Sequence, residues 1–390
     1  MRLWYDPSGG PHGINTAIWF SEHVGLNYPT DVTYHPIPRP EEVAFNLPDT
    51  PGLLELLPII RFGRADLIVQ NDENDNWEPN EVILVIEVTA MAPHGKNFYQ
   101  RSDKFIPSAE LGIPTAYILP EYKLSSGQVY SPSAYQAPVF GMLHHRHDTP
   151  VMHIQWPASV GGDLFTDPTP AWQPAPPGYW GEPQLSGEVL NFILQCREYL
   201  VNHQPVQQAF APSINQNLTD FVEYQNNFDR GNGWIARRNL QMTSPANIGN
   251  NARPSVSGRQ YTLVLGPRVG MLQDNGSLRL DDFTGTSIFA DAWIARSLNG
   301  ELEYNVVWHC NGGSIQNWTD FLQNDMNVHD EQVDCPFHNP AAFTPQTAQE
   351  HMLDENLRCP FHNTYTRSKW LTTVHAVIFP DGVWQSPYRC

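Results

Sequence analysis

The sequence predicts an α/β amino-terminal domain over residues 1–205, a linker over 206–260 and a β-rich carboxy-terminal domain over 261–390. Three observations predict this. Apolar, strand-like runs at 64–70, 82–89 and 115–119 are interleaved with segments of helical spacing, the pattern of an α/β core. Composition then shifts to Gln, Asn and Pro over 203–220 and to Ser, Asn, Gly and Pro over 241–260, without periodicity. Beyond the shift, strand-like runs flank Asn-Gly pairs, a strong short-range hairpin signal.

Bulk properties bound the possibilities. A chain of 390 residues favours two domains over one, and 41% hydrophobic residues suffice for a true core. Thirty-five prolines favour stiff loops and short helices. The net charge of −19 argues against a protein that coats nucleic acid, since such binding comes from Lys and Arg on phosphates. An enzyme with a local basic groove remains compatible. Only four of the 22 basic residues are Lys, and two of these, Lys96 and Lys104, closely follow Glu87. Five Cys make a poor disulfide framework in so long a chain. MRLWYDPSGG lacks the apolar region of a secretion signal, and no run approaches the ~20 apolar residues of a membrane span. A cytoplasmic protein is expected, and without a Walker or GxGxxG loop no nucleotide cofactor is.

Element by element, HGINTAIWFSEHVGL (12–26) suits a helix, with Ile14, Ala17, Ile18 and Val24 near one stripe. Residues 27–58 are punctuated by proline and read as loop with a short strand near Val32–Tyr34. Arg64–Gln70 and Val82–Thr89 read as buried strands joined by a polar, hairpin-type excursion. Asn97–Leu111 has helical character that Pro107 should break or kink, and Thr115–Leu119 is a third strand. Further strands are expected over 127–157, including VMHIQW, with the His144–His147 run and His153 as a strand-end cluster rather than a metal site. EVLNFILQCREYLVN (188–202) is an amphipathic helix with Leu190, Ile193, Leu194 and Leu200 or Val201 on its stripe. In the carboxy-terminal part, hairpins are expected around Asn275-Gly276 and Asn299-Gly300.

Two of the apolar runs carry a carboxylate that a buried strand should not want, Asp66 and Glu87. Each alone could be a solvated strand-end acid. Together, inside apolar runs and ahead of a cation-bearing segment, they point to a metal site, because burying unpaired charge is costly. Phosphodiester hydrolysis needs an activated water and relief of developing charge. Mg²⁺ on one or two carboxylates supplies both, and a nearby lysine can orient the water.

This stretch resembles the PD-(D/E)XK nuclease superfamily, the restriction endonuclease-like fold. Its pattern is an acid on one strand, (D/E)-x-K on the next, then a helix; Asp66 in GRADLIV and Glu87 in VIEVTA match the acids. The resemblance implies a central mixed sheet flanked by helices and Mg²⁺-dependent cleavage of DNA with Asp66 and Glu87 as ligands. Gln100 stands where RecB-like members carry a helical Gln. The family lysine falls on Thr89, giving E-x-T in place of E-x-K. The cation would then come from the following segment, from Lys104, one helical turn beyond Gln100, or from Lys96. Arg101 and Arg64 are candidate contacts to the DNA backbone. Glu22 could add an acid but reads as a surface glutamate.

A second constellation is a near-duplicate, VDCPFHNP and LRCPFHNT, with Cys335, His338, Cys359 and His362. Two Cys-x-x-His pairs separated by roughly 20 residues suit a structural Zn²⁺, which prefers thiolate and imidazole. Two turns with buried thiols and satisfied histidines are the alternative. The expectation is therefore a Mg²⁺-dependent DNA endonuclease of restriction or defence type with a zinc-stabilised second domain, and the resemblance is compatible with a homodimer, one site per strand. Its rivals are a catalytically silent DNA- or protein-binding member of the same fold, and an interaction protein with no nucleic-acid role.

Overall fold

The computed structural model describes residues 1–9, 11–39, 51–60, 64–72, 76–88, 107–120, 122–123, 129–130, 140–141, 143–144, 147–156, 165–166, 185, 187–216, 219, 241–243, 260–265, 303–308, 314–324, 376–379 and 381–385. The chain forms two compact units, one of 1–221 with 340–355 and the other of 222–339 with 356–390.

The first unit is built on a mixed six-stranded sheet, flanked by helices. Its strands are β1 (Arg2–Tyr5), β2 (Thr33–Pro36), β3 (Leu67–Gln70), β4 (Val82–Val88), β5 (Thr115–Pro120) and β8 (Val151–Trp156); β6 (Tyr122–Lys123), β7 (Val129–Tyr130) and, after β8, β9 (Phe165–Thr166) form a small three-stranded sheet. The order across the large sheet is β2-β1-β3-β4-β5-β8. β3 and β4 pair antiparallel, as the polar excursion between them predicts. β4, β5 and β8 run parallel, and β1 and β2 run parallel around a helical crossover. β4 is central and covered on both sides, which is why VILVIEV is a continuous apolar run rather than an alternating one.

That crossover is α1 (Pro11–Val24). Pro11 at its first position loses no hydrogen bond there. It ends where Gly25, at φ +92°, turns the chain so that its N–H and that of Leu26 both donate to the Ser21 carbonyl. α1 packs on β1, β2 and β3, and beside it lies a second long helix, Gly187–Leu200, which also packs on β8. Between helices and sheet lie Ala17, Phe20, Leu67, Ile86, Ile118 and Phe192, part of one buried cluster. Glu22 is exposed.

Several expectations need correction. Residues 53–60 fall in a region expected to be loop, yet Leu53–Ile60 is a helix, α2, with Pro58 inside it. Six of its eight residues are buried. Burial of that apolar set outweighs the proline penalty, and Pro58 sits near the helix end, where few later residues depend on it. The 187–200 helix, α3, is where expected, but its buried stripe is rotated. Val189, Phe192, Ile193, Cys196, Tyr199 and Leu200 face inward, while Leu190 and Leu194 are 38% and 49% exposed. This phase buries the two aromatics, which meet Phe210 at centroid distances of 6.4 and 5.4 Å. Phe210 follows a short helix, α4 (Val206–Ala209), and with Ala209 and Ile214 joins the same core. Residues 107–110 are helical, and the rest of the segment expected to be helical, from Asn97, lies outside the described residues. Residues 140–141, 143–144 and 147 are helical, so His144 and His147 precede β8 on helical turns rather than on a strand end.

In the second unit, β10 (Gln241–Thr243), β11 (Gln260–Leu265), β12 (Glu303–Trp308), β13 (Ala376–Phe379) and β14 (Gly382–Gln385) form a sheet in that order. A helix, α5 (Ile315–Asn324), has its first N–H on the Asp381 carboxylate, and its Trp318 meets Trp384 edge-on. The turns at Asn275-Gly276 and Asn299-Gly300 lie outside the described residues.

Candidate metal centre

The two acids singled out by the sequence are neighbours. Leu67 stands opposite Ile86 in the β3–β4 ladder, so one step further Asp66 stands opposite Glu87. The contact is direct and reciprocal. The Asp66 N–H donates to Glu87 Oε2 at 3.1 Å, and the Val88 N–H donates to Asp66 Oδ2 at 2.7 Å. Each carboxylate thus holds the backbone of the other's strand. The Asp6 N–H, at the end of β1, donates to the Asp66 carbonyl at 3.3 Å, so three strands converge there. Asp66 is 4% exposed and Glu87 fully buried.

Strand register extends the row. Glu87 pairs with Tyr117 and Tyr117 with His153. Side chains alternate along a strand, so these residues share the face opposite Ile86, Val88, Ala116 and Met152, which pack toward α1 and α3. On that face Phe140 lies 6.2 Å from Tyr117 and 5.5 Å from His153. His153 is buried with Nε2 lacking a hydrogen-bond partner, and burial pushes its pKa down to about 3, so it is neutral.

One more side chain reaches the acids from α1. His12 Nε2 lies 3.2 Å from the Val88 carbonyl and 3.6 Å from Asp66 Oδ2. Burial acts to lower the His12 pKa, but the Asp66 hydrogen bond and charge, the Val88 carbonyl and the Glu87 charge outweigh it, and the net shift is upward. Its other nitrogen, Nδ1, is buried with no hydrogen-bond partner. Leaving such an atom unsatisfied costs about 1–3 kcal/mol. The position of His12 is set by the neighbouring Gly13. A Cβ there would overlap the Asp6 carbonyl oxygen and lie 3.0 Å from its carbon, so the first turn of α1 rests on the end of β1. Asp6 is itself occupied, accepting from the Ser8 N–H and hydroxyl and lying 3.3 Å from Arg64 Nε. Arg64 also donates to the Ile37 carbonyl, so its guanidinium joins β1 to the loop after β2.

The donor set fits a hard cation of limited demand. Two carboxylates on adjacent strands suit Mg²⁺, which takes one or two and keeps waters for the rest. Two like charges packed together inside a protein are unfavourable, and a divalent cation relieves this. Among the described residues no group of three or more His, Cys, Asp or Glu is arranged to hold a metal. Thr89, Lys96, Gln100, Arg101 and Lys104 lie outside the described residues, as do Cys335, His338, Cys359 and His362. In the His-rich run, His144 Nδ1 bonds the Thr149 carbonyl at 2.7 Å. No described helix is long and apolar enough to cross a membrane.

Asp66 and Glu87 come together as their spacing suggests. His12, Asp6 and Tyr117 join them without having been singled out, and so does His153, which the sequence offers only as part of a strand-end histidine cluster. The signal for Tyr117 and His153 was register, which no local pattern reveals. For His12 it was proximity of a turn-plus-helix start to the sheet. Protein-family models, curated proteins and solved structures yield no match to this chain.

Proposed function

We propose that the chain is a Mg²⁺-dependent endodeoxyribonuclease working in the manner of the PD-(D/E)XK enzymes it resembles. One observation carries the reading. Asp66 and Glu87 are opposite each other on antiparallel neighbours, each bonded to the other's backbone, and β4 passes by a crossover to parallel β5. This is the strand arrangement in which the resemblance expects two acidic ligands. Mg²⁺ held by these carboxylates would supply charge neutralisation at the scissile phosphate. Lys104 or Lys96 would act on the attacking water, with Gln100, Arg101 and Arg64 on the backbone. A structural Zn²⁺ at Cys335, His338, Cys359 and His362 completes the reading for the second unit.

Nicking of supercoiled plasmid in Mg²⁺ tests it. Wild type should nick and Asp66→Ala and Glu87→Gln should not. Absence of nicking by wild type on double- and single-stranded DNA overturns the enzymatic reading. Position 89 favours the second reading, a silent module that keeps the fold, since threonine cannot supply the family's positive charge. That reading predicts DNA binding, weakened by salt, without cleavage.

A further inference from the structure

We propose that Asp6 is a positioning residue, which aims the guanidinium of Arg64 at a phosphate of the DNA backbone beside the acid pair. The inference rests on the DNA-binding part of the nuclease reading above and holds equally for a silent form of the fold.

Three features converge on it. First, Arg64 is held at two points and open at a third. Its Nε lies 3.3 Å from Asp6 Oδ1, and its Nη1 donates to the Ile37 carbonyl at 3.3 Å. Nη2 has no partner among the described residues and is not buried. A guanidinium carries five N–H donors in one rigid plane, so fixing Nε and Nη1 fixes the direction of Nη2. Arg2 is the contrast, with Nη1 and Nη2 both engaged, by Asn80 and Asp72.

Second, the Asp6 carboxylate is itself fixed. Oδ1 accepts from the Ser8 N–H at 2.9 Å and Oδ2 from the Ser8 hydroxyl at 2.7 Å. Both oxygens are engaged, so Asp6 serves Arg64 rather than acting as a third metal ligand. Third, the same residue is tied to the acid pair. The Asp6 N–H donates to the Asp66 carbonyl at 3.3 Å, and Arg64 precedes Asp66 by two residues. The arginine and a metal ligand thus share one anchor, which sets a phosphate on Nη2 in register with the acids. Such a contact positions the DNA backbone without reading sequence. In a chain of net charge −19, it needs a cation held in place against the general repulsion.

The test uses the full chain and follows binding of a labelled DNA duplex by fluorescence anisotropy over a KCl series. EDTA is present, so no strand is cut. Arg64→Gln should bind about 10–100-fold more weakly. Its plot of log affinity against log KCl concentration should be shallower by about 0.9, the share of one phosphate. Asp6→Asn keeps an oxygen for the Ser8 N–H and removes the charge that holds Arg64. Loss of a negative charge should by itself strengthen DNA binding. If Asp6 aims Arg64 the sign reverses, and affinity falls about 2–10-fold because a loosened side chain must be ordered on binding. In an Arg64→Gln background, Asp6→Asn should no longer weaken binding.

Unchanged or tighter binding by Asp6→Asn overturns the inference. An equal loss with and without Arg64 makes Asp6 merely structural and overturns it likewise. Should Asp6→Asn fail to fold, Arg64→Lys decides. Lysine keeps the charge but cannot contact Asp6, the Ile37 carbonyl and a phosphate together, so its affinity should fall. Wild-type affinity in Arg64→Lys overturns the inference. A wild type that binds DNA without nicking it, with the Asp6 effect present, sinks the enzymatic reading and supports this one. A wild type that binds no DNA overturns both.

Discussion

Replacing Gly13 with Ala should destabilise the first unit, although the general rule for helices predicts the opposite. Alanine in a helix interior is favoured over glycine by about 1 kcal/mol. Gly13 is the third residue of α1, and its surroundings reverse that preference. A Cβ at this position overlaps the Asp6 carbonyl oxygen and lies 3.0 Å from the Asp6 carbon and 3.1 Å from its nitrogen. All three atoms are backbone at the end of β1, so no side chain can swing aside. Either α1 lifts from the sheet or the end of β1 bends. Overpacking of this kind costs about 1–3 kcal/mol and occasionally more. Because the clash is with backbone, the cost belongs at the upper end of that range, and set against the helix gain the net loss should be about 2 kcal/mol. For a unit of this size that lowers the thermal midpoint by several degrees, at about 2–4 °C per kcal/mol. Urea unfolding followed by circular dichroism measures it. Because His12 precedes Gly13, the shift should also separate His12 from Asp66. A Gly13→Ala protein as stable as wild type, or more stable, would refute the close approach of α1 to β1 and with it the placement of His12.

Two further outcomes follow from the same geometry. Mg²⁺ at 100 times its dissociation constant should stabilise the protein by about 2.7 kcal/mol, raising the thermal midpoint by about 5–10 °C. Glu87→Gln should lose that response while remaining at least as stable as wild type without the ion, since one of two buried like charges is gone; an equal Mg²⁺ shift in both proteins would count against the metal site. For His153 the folded pKa is depressed to about 3 from 6.5. The unfolded chain therefore takes up the proton first, and stability falls as pH drops from 6.5 toward 3, by up to about 1.4 kcal/mol per pH unit from this group. His153→Leu should flatten that acid limb in a series of urea midpoints, and parallel limbs would show that His153 is not buried neutral.

The legible part of this fold is the part written in composition along a single strand or helix. β4 announces itself because a strand covered on both faces must be apolar at successive positions, and Glu87 stands out against that background. α1 and α3 are legible because helical spacing of apolar residues is a local property. What escaped has two causes. For α2, the prolines that punctuate 27–58 predict loop, yet with six of eight residues buried, tertiary contact decides the conformation. For α3, Leu190 and Leu194 form as good a stripe on paper as Val189, Phe192 and Cys196. Only the neighbouring Phe210, Trp77 and β8 decide which stripe turns inward.

The candidate site shows the same division more sharply. Asp66 and Glu87 were recognisable because each violates the pattern of its own strand. His12 violates nothing, because a histidine in the first turn of a helix is unremarkable until the helix is set on the sheet. What sets it there is the adjacent glycine, whose missing side chain lets the first turn of α1 settle against Asp6. Tyr117 and His153 join the row because parallel pairing in register carries Glu87's position across β5 to β8. The acids therefore belong to a row of ionisable side chains crossing four strands, with a neutral histidine at one end and a histidine of raised pKa over the other. Burial alone sets His153, while at His12 the two carboxylates prevail over burial, so only the His12 end of the row feels the acid pair.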